Sequence, residues 1–294
     1  MPTGRTSNPA MPATDFHQHL WPDGFRLLLE RRTDPPYLRG RRLVLPRGGE
    51  FHVDPAAYAP EARLDELDRA GFRCSIVSLP PTTEPTPELV DAWHADALEL
   101  EAATAGRIVP LAYATADPAF VGAIVPAPLL NASEQLLTQL AEQDQLAFVH
   151  PAAAEPGAVA WQTGAVRYAQ QMLDAYVYWM ATGSRRWPTL RIVFALLAGG
   201  AAFQIERLVR RGLDARAVEI DNVWFETSSY GERALELSLQ TFGAHRHVFG
   251  SDAPIDGLAT ALGLTRAFGA ALETALLIDA PLELLTQTRT RWAA

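Results

Sequence analysis

The chain has 294 residues, a formal net charge of −9 and 48% hydrophobic residues, with a pI near 5.3. The acidic balance argues against a nucleic-acid or anionic-membrane surface, and the apolar content suffices for a sizeable core. Cys74 is the only cysteine, which rules out an intramolecular disulfide framework, and all 25 basic residues are arginine, which rules out lysine-based Schiff-base, pyridoxal phosphate and phosphate-loop chemistry.

Met1 to Pro12 is polar and Pro-rich with no apolar h-region, and reads as a flexible tail rather than a signal peptide. No apolar run approaches 18 residues, so no membrane span is expected and the cytoplasm is the expected location. The first strand is predicted over Thr14–His19. It carries Asp15, His17 and His19, and side chains two apart on a strand share a face. Two imidazoles on one face make half of a metal site, although two surface histidines give the same pattern. Asp23–Pro60 follows, with Pro35-Pro36, the arginine cluster Arg39, Arg41, Arg42 and Arg47, and a hairpin signal at Arg42–Val53 around Gly48-Gly49. It reads as an insertion in a strand-to-helix loop, a candidate lid.

A helix over Arg63–Ala70 stops at Gly71 and leads into a strand at Cys74–Leu79. A helix at Leu89–Ala105, with His94 on its exposed side, precedes a strand at Ile108–Ala114; another strand follows at Val121–Pro126. The helix Ser133–Glu142 leads to Ala147–His150, which closes with a histidine. A helix Val166–Thr182, ended by Gly183, precedes the strand Arg191–Leu197. Phe203–Arg211 is helical, Val223–Thr227 is a strand, and Gly231–Phe242 is a helix. The strand His247–Gly250 runs into Ser251-Asp252, and a helix Pro281–Trp292 closes the chain. Strands and helices alternate, which predicts an α/β protein with a parallel sheet; eight strands favour a (β/α)8 barrel over an open sheet. A single barrel domain is expected over 13–294.

Three strand ends thus offer His17, His19, His150 and Asp252, a donor set suited to zinc with room for water. Trp21, Tyr113 and Tyr230 fall near strand ends and are candidates for substrate contact; ordinary barrel packing is their alternative.

The ordered set D-x-H-x-H, V-H-P, an Ile-Val-Phe strand leading to Gly199-Gly200, F-E-T-S-S-Y-G and F-G-S-D-x-P resembles the amidohydrolase superfamily, in the amidohydrolase-related branch that holds decarboxylases and a lactonase. The resemblance implies a distorted (β/α)8 barrel, with His17, His19, His150 and Asp252 at the metal-ligand positions. Two departures stand out. Leu196 occupies the position of a histidine that handles water or protons in that family, and Glu226 stands where an aspartate is usual. With that histidine gone, the expected activity is metal-dependent hydrolysis of a small ester, lactone or amide, with Asp252 as the base. The alternatives are non-oxidative decarboxylation of an aromatic or enoic acid, and a degenerate barrel that binds a small molecule. One divalent ion, zinc, is expected, because no lysine can supply a carbamate bridge. A small-molecule substrate is the expected partner, and a homo-oligomer is left open.

Overall fold

The computed structural model describes residues 13–47, 49–157, 161–215 and 221–286. The tail read at 1–12 and the end of the helix read at Pro281–Trp292 lie outside them. The strands are β1 (Thr14–His19), β2 (Tyr37–Arg39), β3 (Arg42–Val44), β4 (Glu50–His52), β5 (Cys74–Ser78), β6 (Ile108–Pro110), β7 (Ala112–Tyr113), β8 (Gly122–Pro126), β9 (Leu146–His150), β10 (Ile192–Phe194), β11 (Val223–Glu226) and β12 (His247–Val248).

The parallel strands run β1-β5-β6 and β7-β8-β9-β10-β11-β12. β6 and β7 stand where one strand was expected. Ile108–Pro110 pairs with β5, and the chain then turns to pair with β8. The far edge returns to the first strand. Phe16 N donates to Phe249 O (2.8 Å), Asp252 N to His17 O (2.9 Å) and His19 N to Ala253 O (2.8 Å). The ring of strands is a distorted barrel with a seam between β1 and the segment after β12.

β1, β5, β8 and β9 are buried along their whole length, as strands covered on both faces are. Their apolar residues form one core with Trp93, Tyr176 and Trp179 from the surrounding helices. The informative residues are the polar ones buried among them, namely Asp15, His17, Gln18, His19, Ser78, His150 and Glu226.

The insertion after β1 is more structured than expected. It opens with a helix, Asp23–Arg31, that buries Phe25 and Leu29 one turn apart and carries Asp23 in its first turn and Arg31 in its last, matching the helix dipole. β2, β3 and β4 then form a small antiparallel sheet. The helix Pro60–Ala70 ends where Gly71 takes a φ of 79°. Gly183 does not end a helix. The chain passes through π-helical turns at Thr163–Tyr168 and Trp179–Gly183 around the helix Ala169–Tyr178, and continues helically to Arg186. Gly183 is required instead because the Trp179 ring fills the place of a Cβ. Helices Leu258–Ala267 and Ala270–Thr274, after β12, were not anticipated. Among the described residues no helix is long and apolar enough to cross a membrane.

Candidate metal centre

The buried polar residues gather at the carboxyl end of the ring. β1 ends in His17 and His19, β9 ends in His150, and Asp252 follows β12. The ligand atoms these four offer lie within 4.8 Å of one another. The His17 and His19 rings meet edge to face with centroids 4.9 Å apart, and the His150 ring lies 5.0 and 5.2 Å from them. A register shift between Asp15 and Gln18 bulges β1 at this end. Asp252 takes a φ of 55°, a left-handed conformation that costs an L-residue about 1–2 kcal/mol and persists where its surroundings demand it.

Each imidazole is held by its Nδ1. That atom lies 3.0 Å from Glu226 Oε2 in His17, 3.1 Å from the Ser78 carbonyl oxygen in His19 and 2.7 Å from the Pro151 carbonyl oxygen in His150. Carboxylate and carbonyl oxygens only accept, so each Nδ1 donates and each neutral ring turns an Nε2 lone pair to the centre. His17 Nε2 and His19 Nε2 are 3.3 Å apart. Asp252 Oδ1 lies 3.5 and 3.1 Å from them and has no donor of its own. These are hydrogen-bond distances without a proton to fill them. Lone pairs brought this close repel unless a cation sits among them, so the residues fit a divalent metal.

A proton satisfies the same demand in the metal-free chain. Burial opposes charge on His17, but the carboxylates of Glu226 and Asp252 outweigh it and lift its pKa to about 9. His150 is held well below the usual histidine range by burial and by the charge of its two neighbours. Burial pushes Asp252 up, and the imidazoles outweigh it, leaving it below the usual carboxylate range.

Two further carboxylates, to which the sequence reading gave no task, support the centre. Glu226 is fully buried and accepts from His17, from Ser228 N (2.6 Å), from Ser228 Oγ (2.9 Å) and from Leu196 N (3.3 Å). Asp15 accepts from Ser251 Oγ (2.6 Å), Ser251 N (3.0 Å), Gln18 Nε2 (2.8 Å) and His17 N (3.1 Å), tying β1 to the segment that carries Asp252. Burial raises its pKa to about 6 against those bonds.

The centre opens into a cavity of about 760 Å³. Trp21 and Tyr230 line it, as does Leu196. Trp21 stacks on Tyr58 at 4.1 Å and 13°. Leu43, Phe51 and Val53 from the insertion line the same cavity, which places the segment read as a lid beside the site. Tyr113 is placed elsewhere, in a separate groove beside Arg47 and Glu84. Its backbone N–H donates to His94 Nε2 at 2.8 Å, so His94 is a half-buried anchor of β7 and not the exposed helix residue the periodicity suggested. Leu196 begins a run of five left-handed residues, with φ of 55°, 46°, 52°, 67° and 77° through Gly200. This turn follows β10 directly and brings the Leu196 side chain to the cavity.

The chain matches no family model and no curated protein by sequence. Solved structures do match it. The apo IDCase of Metarhizium anisopliae superposes with a TM-score of 0.77 at 18% identity, covering 96% of this chain and 98% of that one. The 5-carboxyvanillate decarboxylase of Sphingomonas paucimobilis gives 0.74 at 14% identity, covering 94% and 99%. The dihydroxybenzoic acid decarboxylase of Polaromonas sp. JS666, solved with manganese and 2-nitroresorcinol, gives 0.69 at 16% identity, covering 95% and 98%. These neighbours correct the expectation of hydrolysis. Two of them are decarboxylases by name and none is a hydrolase, in line with the alternative that the loss of a histidine at Leu196 had made less attractive. The resemblance carried by the motifs extends to the architecture: the chain has the barrel fold of these solved structures.

Proposed function

We propose that this protein is a metal-dependent, non-oxidative decarboxylase of a small aromatic or enoic acid. The observation that carries the reading is the convergence of three Nε2 lone pairs and the unpartnered Asp252 Oδ1 at the base of a cavity walled by aromatic rings. The fold it shares with decarboxylases supports it.

His17, His19, His150 and Asp252 would hold one divalent cation, and three imidazoles with a carboxylate suit zinc. When bound, the cation anchors oxygen atoms of the acid and withdraws electron density from it. The remaining work falls to the chain. Trp21, Tyr58 and Tyr230 hold the flat part of the substrate and exclude water. Leu196 presents a methyl surface and cannot move a proton, so Asp252 carries it. In the reaction the bond between the α-carbon and the carboxylate breaks, CO2 leaves, and a C–H bond forms at the same carbon with the pair left behind. Asp252 Oδ1 faces the histidines and leaves the other oxygen for the proton. That oxygen would receive a proton from solvent through the open side of the cavity and deliver it to the carbon as CO2 departs.

Purified protein loaded with zinc or manganese is offered hydroxylated benzoates, and CO2 and the decarboxylated product are measured. Turnover of at least one acid is expected, with Asp252→Asn lower by ~10²-fold or more, the low end for proton-transfer catalysis. Absence of CO2 from every acid with a fully loaded centre overturns the reading. Elemental analysis of protein as purified identifies the ion, and two tightly held equivalents per chain contradict a single site.

A further inference from the structure

The charges around the cavity are one-sided. Its described lining contains Asp54, Asp252 and Asp256 and no arginine, although the chain has 25 basic residues. Arg47 and Arg167 belong to the neighbouring groove. Asp54 sits at the rim, 3.7 Å from Arg41, with both side chains about half exposed. Asp256 is different. It lies one turn beyond Asp252, where Ile255 N and Asp256 N both donate to Asp252 O at 2.9 and 3.1 Å. Ser229 Oγ donates to its Oδ2 at 3.0 Å, and among the described residues no cation pairs with it. It lines the same cavity as Asp252, whose unpartnered, buried Oδ1 belongs to the set that would hold the cation and, through it, the acid's carboxylate. A substrate held there by one carboxylate projects its other substituents into a field that is negative and has acceptors to spare.

We propose that Asp256 sets the substrate class: the site takes a monocarboxylic acid whose ring carries a hydrogen-bond donor, a hydroxyl or an amine, towards Asp256, and it rejects dicarboxylic acids. The inference rests on the acid-binding reading of the centre given above. A donor on the ring satisfies the aspartate directly. A second carboxylate meets Asp256 with no cation between them, and repulsion of this kind discriminates against a wrong partner more effectively than added contacts favour the right one. Carboxylate-directed acids with a second acidic group need a permanent cation in the wall, and the described lining offers no arginine, only the exposed His52 and the buried His150 of the centre.

The test reads binding, so that it does not depend on turnover. Protein loaded with Mn²⁺ is titrated calorimetrically with 3- and 4-hydroxybenzoate, 3- and 4-aminobenzoate, isophthalate and terephthalate. The hydroxy or amino acids are expected to bind at least ~10-fold more tightly than the dicarboxylates. Asp256→Asn should shrink that difference, and Asp256→Arg should reverse it, giving the dicarboxylates the higher affinity. Asp256 is exposed, so these variants are expected to fold, and an unchanged melting temperature checks it. Equal affinity for both groups in the unaltered protein, or the same order in Asp256→Arg, overturns the assignment. If no benzoate binds to the loaded protein, the acid-binding reading falls and the assignment falls with it. If the monocarboxylates bind selectively and release no CO2, the assignment of Asp256 stands and the decarboxylase reading alone fails.

Discussion

Glu226 shows how much of this centre depends on a residue that touches neither metal nor substrate. It fixes the proton of His17 on Nδ1 and is itself neutralised by three backbone and hydroxyl donors. Glu226→Gln keeps the shape but weakens the hold on that tautomer, because an amide can present either end to the ring. Metal affinity should fall by about 10–100-fold, the range seen when such supports are altered, measured by competition with a coloured chelator. An affinity equal to the parent's would show the contact to be passive. The four candidate ligands were legible as a set because each stands at or just after the carboxyl end of a predicted strand, where a barrel gathers its polar side chains. Glu226, Ser78 and Asp15 were not, because their meaning lies in pairings such as His17 with Glu226, 209 residues apart, and no local spacing records those. The reaction was not legible either. Three histidines and an aspartate serve hydrolysis and decarboxylation equally, and what separates the two is the content of the cavity, assembled from distant loops.

At the level of elements, the barrel strands were readable in place and order because most of them are runs of apolar residues, while the break between β6 and β7 and the turn after β10, read as strand through Leu197, were not. Its left-handed run costs the chain conformational energy at Leu196, Leu197 and Ala198, and only the last two positions are glycine. Gly199 is there for space as well as for its φ of 67°, since a Cβ would collide with the Ala169 carbonyl oxygen. Gly199→Ala should therefore destabilise by at least ~2 kcal/mol, as strain and overpacking act together, and by differential scanning calorimetry the melting point should drop by several degrees. A drop below one degree would mean that the neighbouring helix Ala169–Tyr178 yields freely. The strand β12 offers a pH test. His247 donates from Nδ1 to Gly243 O (2.9 Å) and pairs through Nε2 with Ser238 Oγ (2.7 Å), and burial lowers its pKa from 6.5 to about 4. The fold thus prefers neutral His247, and the unfolded chain takes up the proton first. Its contribution is complete above pH 6.5 and is lost as the pH falls towards 4, about 3 kcal/mol in all. His247→Gln should flatten the urea-midpoint profile over that interval; an unaltered profile assigns the acid sensitivity to other groups.

For the whole molecule, the metal and the seam are one problem. A cation bound by His17, His19, His150 and Asp252 joins β1, β9 and the segment after β12, and it binds the folded chain alone. Saturating metal should raise stability by about 4 kcal/mol at a thousand times Kd, and chelation should lower the melting temperature by several degrees. No response to chelator or added ion would remove the metal from the account. Amide hydrogen exchange should show the loss first at Phe16, His19 and Asp252, whose N–H groups bridge the seam.

The seam also bears on synthesis. Asp15 meets Ser251 across 236 residues of chain, so the first strand leaves the ribosome long before its final neighbour exists. Until then β1 is an open edge with two histidines and an aspartate in it, a surface that other chains can pair with. The protein can complete its metal centre only after β12 has been made. An ion at that centre would have to wait for this late segment, and a nascent chain halted before Asp252 is left without the residue whose N–H joins the segment after β12 to β1.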